Sequence, residues 1–150
     1  MAIKEPGITA SPNRALALTA GAVLALWGIL GFFFAGEGEH AFFGNTGGLL
    51  WNAFLVNPAL CLVWTLLAAA LLIGGFGTTI GSRNINVTVG VVLVVLAVYG
   101  FVFSNTSANV FALNTADNVF NAIVGVLLLL TALGADKQNI RALRAEAARV

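Results

Sequence analysis

The chain has 150 residues, 59% of them hydrophobic and 9% charged, with a formal net charge of +1 and a mean hydropathy of +0.97. That composition excludes an ordinary water-soluble domain, which needs more polar surface to cover a core of this size. It leaves no nucleic-acid footprint, and the one cysteine excludes an intramolecular disulfide.

Four apolar runs approach the roughly 20 residues that a hydrocarbon core requires of a helix: residues 15–34, 58–76, 85–103 and 116–134. They predict an all-α, four-helix transmembrane domain over 15–134, preceded by a short segment (1–14) and followed by a basic tail (135–150). The basic residues Lys4, Arg14, Arg83, Lys137, Arg141, Arg144 and Arg149 fall before the first run, between the second and third, or after the fourth. By the positive-inside rule these segments are cytoplasmic, so both termini lie inside. The expected location is a bacterial cytoplasmic membrane.

The first run is longer than the roughly 7–15 residue core of a secretory signal and reads as an uncleaved helix. Ala17, Gly21, Ala25 and Gly28 form a strip of small residues along it, a surface on which another helix packs at backbone distance. The outer loop that follows carries Glu37, Glu39 and His40. One imidazole and two carboxylates are too few to define a metal centre, and no metal site is expected. The next stretch, "LLWNAFLVN" (49–57), is expected to lie in the interface as a short helix, with Trp51 in an aromatic belt.

The second run opens with Asn57 and Pro58, a capping residue followed by proline at the first helical position. Cys61 lies inside this run and reads as a small buried residue. Between the second and third runs, "GTTIGSRNIN" (77–86) is expected to be an inner loop. The fourth run begins at "LNTADN", where Asn114 and Asp117 have the spacing of a capping box. The stretches beginning at Phe54 and Phe111 align with an offset of 57 residues, and "GFFF" (31–34) matches "GFVF" (100–103). Together they point to two helix pairs in the same orientation, a parallel repeat. In the tail, Ile140, Leu143, Ala147 and Val150 share a helical stripe with arginines around it, a pattern for an amphipathic helix on an anionic leaflet or for a solvated tail.

Phe33, Phe34, Trp51, Phe54, Phe103 and Phe111 gather at the outer side with the amides Asn118 and Asn121, a candidate surface for a ligand or a partner. No catalytic set is present: there is no Ser/His/Asp or Cys/His arrangement, and three of the four runs hold no acidic or basic residue of the kind that marks ion pathways.

"VNPALCLVW" in the second run, paired with "LNTADNVFN" at the fourth, resembles a family of small four-helix membrane proteins of actinobacteria and cyanobacteria, classed as a domain of unknown function. Members carry Asn-Pro-Leu-His with a second His four residues on, and a His shortly after Leu-Asn-Thr-Ala-Asp-Asn. This chain has Leu60, Trp64 and Asn121 at those positions, so the resemblance implies the fold and no ligand chemistry. The expectation is a non-catalytic accessory subunit or scaffold that contacts membrane lipids and packs against other integral membrane proteins or further copies of itself. The alternative is a binder or carrier of an apolar small molecule (lipid, quinone or pigment) in the outer leaflet; a channel or transporter is the third reading. No cofactor is expected beyond a bound lipid or apolar pigment.

Overall fold

The computed structural model describes residues 4–36 and 41–149. A short 3-10 turn leads into α1 (Pro12–Ala35); a hairpin of β1 (Gly48–Leu50) and β2 (Phe54–Val56) follows, then α2 (Pro58–Phe76), α3 (Thr79–Phe103), α4 (Thr115–Gly134) and α5 (Lys137–Ala147). Helices α1 to α4 are each long and apolar enough to cross a membrane. The chain is an all-α membrane bundle with one small hairpin on the side opposite its termini.

Capping sets where these helices begin. Asn57 Oδ1 accepts from the Leu60 N–H at 2.9 Å, Ser11 Oγ from Arg14 N–H at 3.4 Å and Thr78 Oγ1 from Gly81 N–H at 3.0 Å. Two helices therefore start several residues before their apolar runs: α1 at Pro12 rather than 15, and α3 at Thr79 rather than 85. Hydropathy ends at the last apolar residue, whereas a helix ends where its orphan donors find acceptors. Most of the expected inner loop 77–86 is thus the first turns of α3, and Gly77 and Thr78 alone connect α2 to it.

The stretch 49–57 is not an interfacial helix. It pairs Gly48 with Val56, Leu49 with Leu55 and Leu50 with Phe54, and it turns through Trp51 and Asn52 at φ of 50° and 55°. Two consecutive left-handed residues end a right-handed helix and suit a tight hairpin. Leu50 and Val56 are fully buried. Gly48 crosses the end of α1 so closely that a Cβ there would overlap Phe34 O, which is why this strand begins with glycine.

The bundle is two helix pairs. α1 packs closely on α2 and α3 on α4, while contacts between the pairs are sparse. A shift of 57 residues brings the buried positions of α4 (Asp117, Asn118, Asn121, Gly125, Leu128, Ala132) onto Leu60, Cys61, Trp64, Ala68, Leu71 and Gly75 of α2. A second shift, of 69, brings Gly90, Leu93 and Gly100 of α3 onto Gly21, Leu24 and Gly31 of α1. The shifts differ because the first outer loop, which holds the hairpin, is longer than the second.

Side-chain contacts obey the same relation. Arg14 Nε donates to Gly75 O at 3.2 Å, and its equivalent Arg83 donates to Ala132 O, the equivalent carbonyl, at 2.9 Å. Asn57 Nδ2 donates across to Val110 O at 3.0 Å, while Asn114 Nδ2 donates back to Ala53 O at 2.7 Å. Reciprocal contacts of this kind are the signature of a two-fold relation. The two pairs run parallel, related by an axis along the bundle.

Candidate functional site

The glycine-rich faces close each pair internally. A Cβ on Gly21 would meet Leu71 Cβ at 3.1 Å, and one on Gly28 would meet Thr65 Oγ1 at 2.5 Å and Cys61 O at 3.0 Å. Ala17, Gly21 and Gly28 are buried and Ala25 is half-buried. The strip read from the sequence therefore faces the chain's own second helix. Cys61 is buried under Gly31, whose Cβ would lie 2.6 Å from the sulfur.

A polar row runs along the first turns of α4, meeting both α3 and the other helix pair. Asn114 Oδ1 accepts from Asp117 N–H at 3.0 Å, and Asp117 Oδ2 accepts from Asn114 N–H at 2.8 Å, a capping box; α2 in turn is capped by Asn57, with Pro58 at its first position. Asn118 presses on Gly100, where a Cβ would overlap its amide. Asn121 Oδ1 accepts from Trp64 Nε1–H at 2.9 Å. Asp117 Oδ1, both amide atoms of Asn118 and Asn121 Nδ2 have no hydrogen-bond partner among the described residues.

This row changes the reading of the outer surface. Asn118 and Asn121 are interior groups, 1% and 0% exposed, whereas Phe33 is 72% exposed and stands apart. The remaining aromatics divide between two seams. Where α1 meets α4, Trp27 stacks on Phe120 with centroids 5.2 Å apart and planes 8° apart, and Trp51 and Phe54 meet Trp27 edge-on at 4.5 and 5.8 Å. Where α2 meets α3, Tyr99 packs on Phe103 at 5.1 Å and Phe111 at 6.0 Å. Phe34 is half-buried at the end of α1 and packs against the core.

The seams are equivalent in the repeat but are filled differently. The partners of Trp27 and Phe120 are Leu96 and Val63, two smaller side chains. In place of the aromatic plug the α2/α3 seam has a groove of about 430 Å³ lined by Val63, Val91, Val92, Val95, Leu96, Tyr99 and Phe111. The Tyr99 hydroxyl is held outside the groove, donating to Ala108 O and accepting from Val110 N–H at 3.1 Å. The groove thus offers carbon surface and one aromatic wall. Its volume lies in the range of small-molecule sites.

On the opposite side a second polar cluster closes the bundle. Asp136, in the left-handed region with φ of 57°, accepts on Oδ2 from Ser11 Oγ at 2.9 Å, Asn13 N–H at 3.0 Å and Asn13 Nδ2 at 2.9 Å, and on Oδ1 from Asn139 Nδ2 at 2.7 Å. Asn86 Nδ2 donates to Asn13 O at 3.0 Å. Burial pushes the Asp136 carboxyl up, but the hydrogen bonds from Asn13, Asn139 and Ser11 outweigh it and hold it below the usual carboxylate value. An acid 125 residues away in sequence thereby caps the start of α1.

Sequence reasoning missed Val63, Leu96, Asn13, Asn86 and Asp136. A solitary acid between an apolar run and a basic tail was the available signal for Asp136; the groove residues carried none until both repeat shifts were known. Glu37, Glu39 and His40, considered for a metal, lie outside the described residues. Among the described residues no three His, Cys, Asp or Glu side chains converge.

The fold and its seams define a multi-pass membrane protein built from two repeated helix pairs. Residues 14–134 match the family described as "Domain of unknown function (DUF4383)". The match covers most of the sequence, and the chain belongs to this family. No curated protein and no solved structure matches it.

Proposed function

We propose that this protein is a non-catalytic binder of an apolar small molecule of the bilayer, held in the α2/α3 groove. The observation that carries the reading is the contrast between the seams: one is plugged by Trp27 and Phe120, the other is left open over about 430 Å³. A space that side chains fill in one half is matched in the other by a recess of the same apolar character. The groove spans the middle of α3 to Phe111, in the half of the bundle opposite the basic residues, which is the outer leaflet by the positive-inside rule. The scaffold or accessory-subunit reading is less well supported, because the small-residue strip offered for a partner helix is used within the chain.

The test is to copy the plugged seam onto the open one. Val63→Phe with Leu96→Trp reproduces Phe120 and Trp27 at the equivalent positions. Mild-detergent extraction followed by mass analysis should find a stoichiometric apolar compound on the native chain and none on the double variant. Retention of a protein partner instead, unaffected by the substitutions, would favour the scaffold reading.

A further inference from the structure

The basic side of the molecule carries a second recess, independent of the apolar groove. It measures about 200 Å³ and is lined by Arg83 of α3, by Lys137, Arg141 and Arg144 of α5, and by Leu133 and Ile140 beside Ala135. No carboxylate is among its lining residues. Lys137, Arg141 and Arg144 are spaced so that they share one helix face, and Ile140, 7% exposed, seats that helix against the bundle. Leu133, 62% exposed, belongs to the lipid-facing surface of α4, so the recess opens at the boundary between lipid tails and water.

The repeat shows what the Arg83 guanidinium is left to do. Its equivalent Arg14 has every guanidinium nitrogen bonded within the chain: Nε donates to Gly75 O, Nη1 to Pro6 O and Nη2 to Phe76 O. Arg83 makes the matching Nε bond to Ala132 O. Its terminal nitrogens make no hydrogen bond with a described residue, and Arg83 lines the recess that α5 completes. One half thus engages all three nitrogens internally; the other fixes the guanidinium at one nitrogen and leaves its fork for an outside acceptor. A forked, fixed cation with three further cations converging on it is a receptor for a multidentate oxyanion.

We infer that this recess binds the phosphate headgroup of an anionic phospholipid in the leaflet on the basic side, the cytoplasmic one by the positive-inside rule. A lipid rather than a soluble phosphate is the source, because Leu133 continues the recess into the hydrocarbon surface where the acyl chains run. Arg83 holds the phosphate against the bundle; Arg141 and Arg144 close over it from α5.

The experiment uses the full chain purified in zwitterionic detergent and titrated with phosphatidylglycerol, phosphatidylcholine or inorganic phosphate. The variants are Arg141→Gln/Arg144→Gln and, as a control outside the recess, Arg149→Gln. Affinity is read at a temperature below each variant's own melting, so loss of fold is not counted as loss of the site. Phosphatidylglycerol should bind the native chain and the Arg149 variant alike and bind the double variant about thirtyfold more weakly, at about fivefold per basic residue removed. Phosphatidylcholine and inorganic phosphate should give no saturable binding at the same concentrations. Equal affinity in the double variant, equal binding of phosphatidylcholine, or full competition by inorganic phosphate would overturn the inference.

Discussion

Trp64 and Asn121 occupy equivalent positions in the two halves of the chain and are hydrogen-bonded to each other, indole Nε1–H to amide Oδ1 at 2.9 Å. In a two-fold arrangement a position meets its own equivalent at the axis, so this bond marks where the helix pairs join. Both side chains are fully buried. Trp64→Phe leaves the Asn121 acceptor unpartnered and should destabilise by about 1–3 kcal/mol. Asn121→Leu in the same chain should recover part of that loss, because removing both partners of a buried hydrogen bond costs less than removing one. A double-mutant cycle on thermal or denaturant unfolding measures the coupling.

The two caps carry different loads. Asn57 is fully buried and, besides capping α2, donates to both Gly44 O and Val110 O at 3.0 Å. Asn114 caps α4 and donates to Ala53 O at an exposed position. Asn114→Ala should cost about 0.5–2 kcal/mol, and Asn57→Ala more. Asn57→Ser, which keeps the cap and loses the cross-links, should fall between native and Asn57→Ala. Melting of the three variants checks the order.

Glycine at position 100 is demanded by a neighbour. Gly100→Ala drives a methyl into the Asn118 amide and should destabilise by about 1–3 kcal/mol. Asn118→Ala in the same chain should relieve it. Gly134, where an added Cβ would meet no other part of the chain within 4 Å, should accept alanine without loss. Equal melting of Gly100→Ala and Gly134→Ala would contradict the packing described between α3 and α4.

Asp136 makes stability depend on acid. Its carboxyl titrates lower in the fold than in the unfolded chain, so the anion's contribution is complete above the unfolded value, near pH 4, and is lost as pH falls through the folded one. The native chain should lose stability below about pH 4. Asp136→Asn should be less stable at pH 7 by about 1–3 kcal/mol and should show a flatter acid limb. Melting across pH in detergent reads both.

The four apolar spans and the caps at Asn57 and Asn114 were legible because length, apolarity and an Asn or Asn-Pro start are local signals; the caps Ser11 and Thr78, which start α1 and α3 ahead of their apolar runs, were not read. The hairpin at 48–56 was not: Trp51 is a bulky residue that gives no sign of a left-handed backbone, and Leu49, Leu50, Ala53 and Phe54 around it read as one apolar helix face. Asn118 and Asn121 were visible as polar residues near an interface, but their burial depends on Gly100 and Trp64, which lie on other helices. The groove is the hardest case. It exists because Val63 and Leu96 are small where Phe120 and Trp27 are large, and that comparison needs the 69-residue shift, which in the sequence rests on one match of "GFFF" with "GFVF".

The central claim is that the two seams of one repeat differ, one closed by aromatic side chains and the other open to an apolar guest. A crystal structure of the native chain grown from a lipidic phase tests it most directly. The account predicts elongated non-protein density along Val63, Val95 and Tyr99 of the α2/α3 seam, and side chains alone between Trp27 and Phe120. A seam in which α2 and α3 close on each other, with Val63 packed directly on Val95 and no density between them, would contradict it.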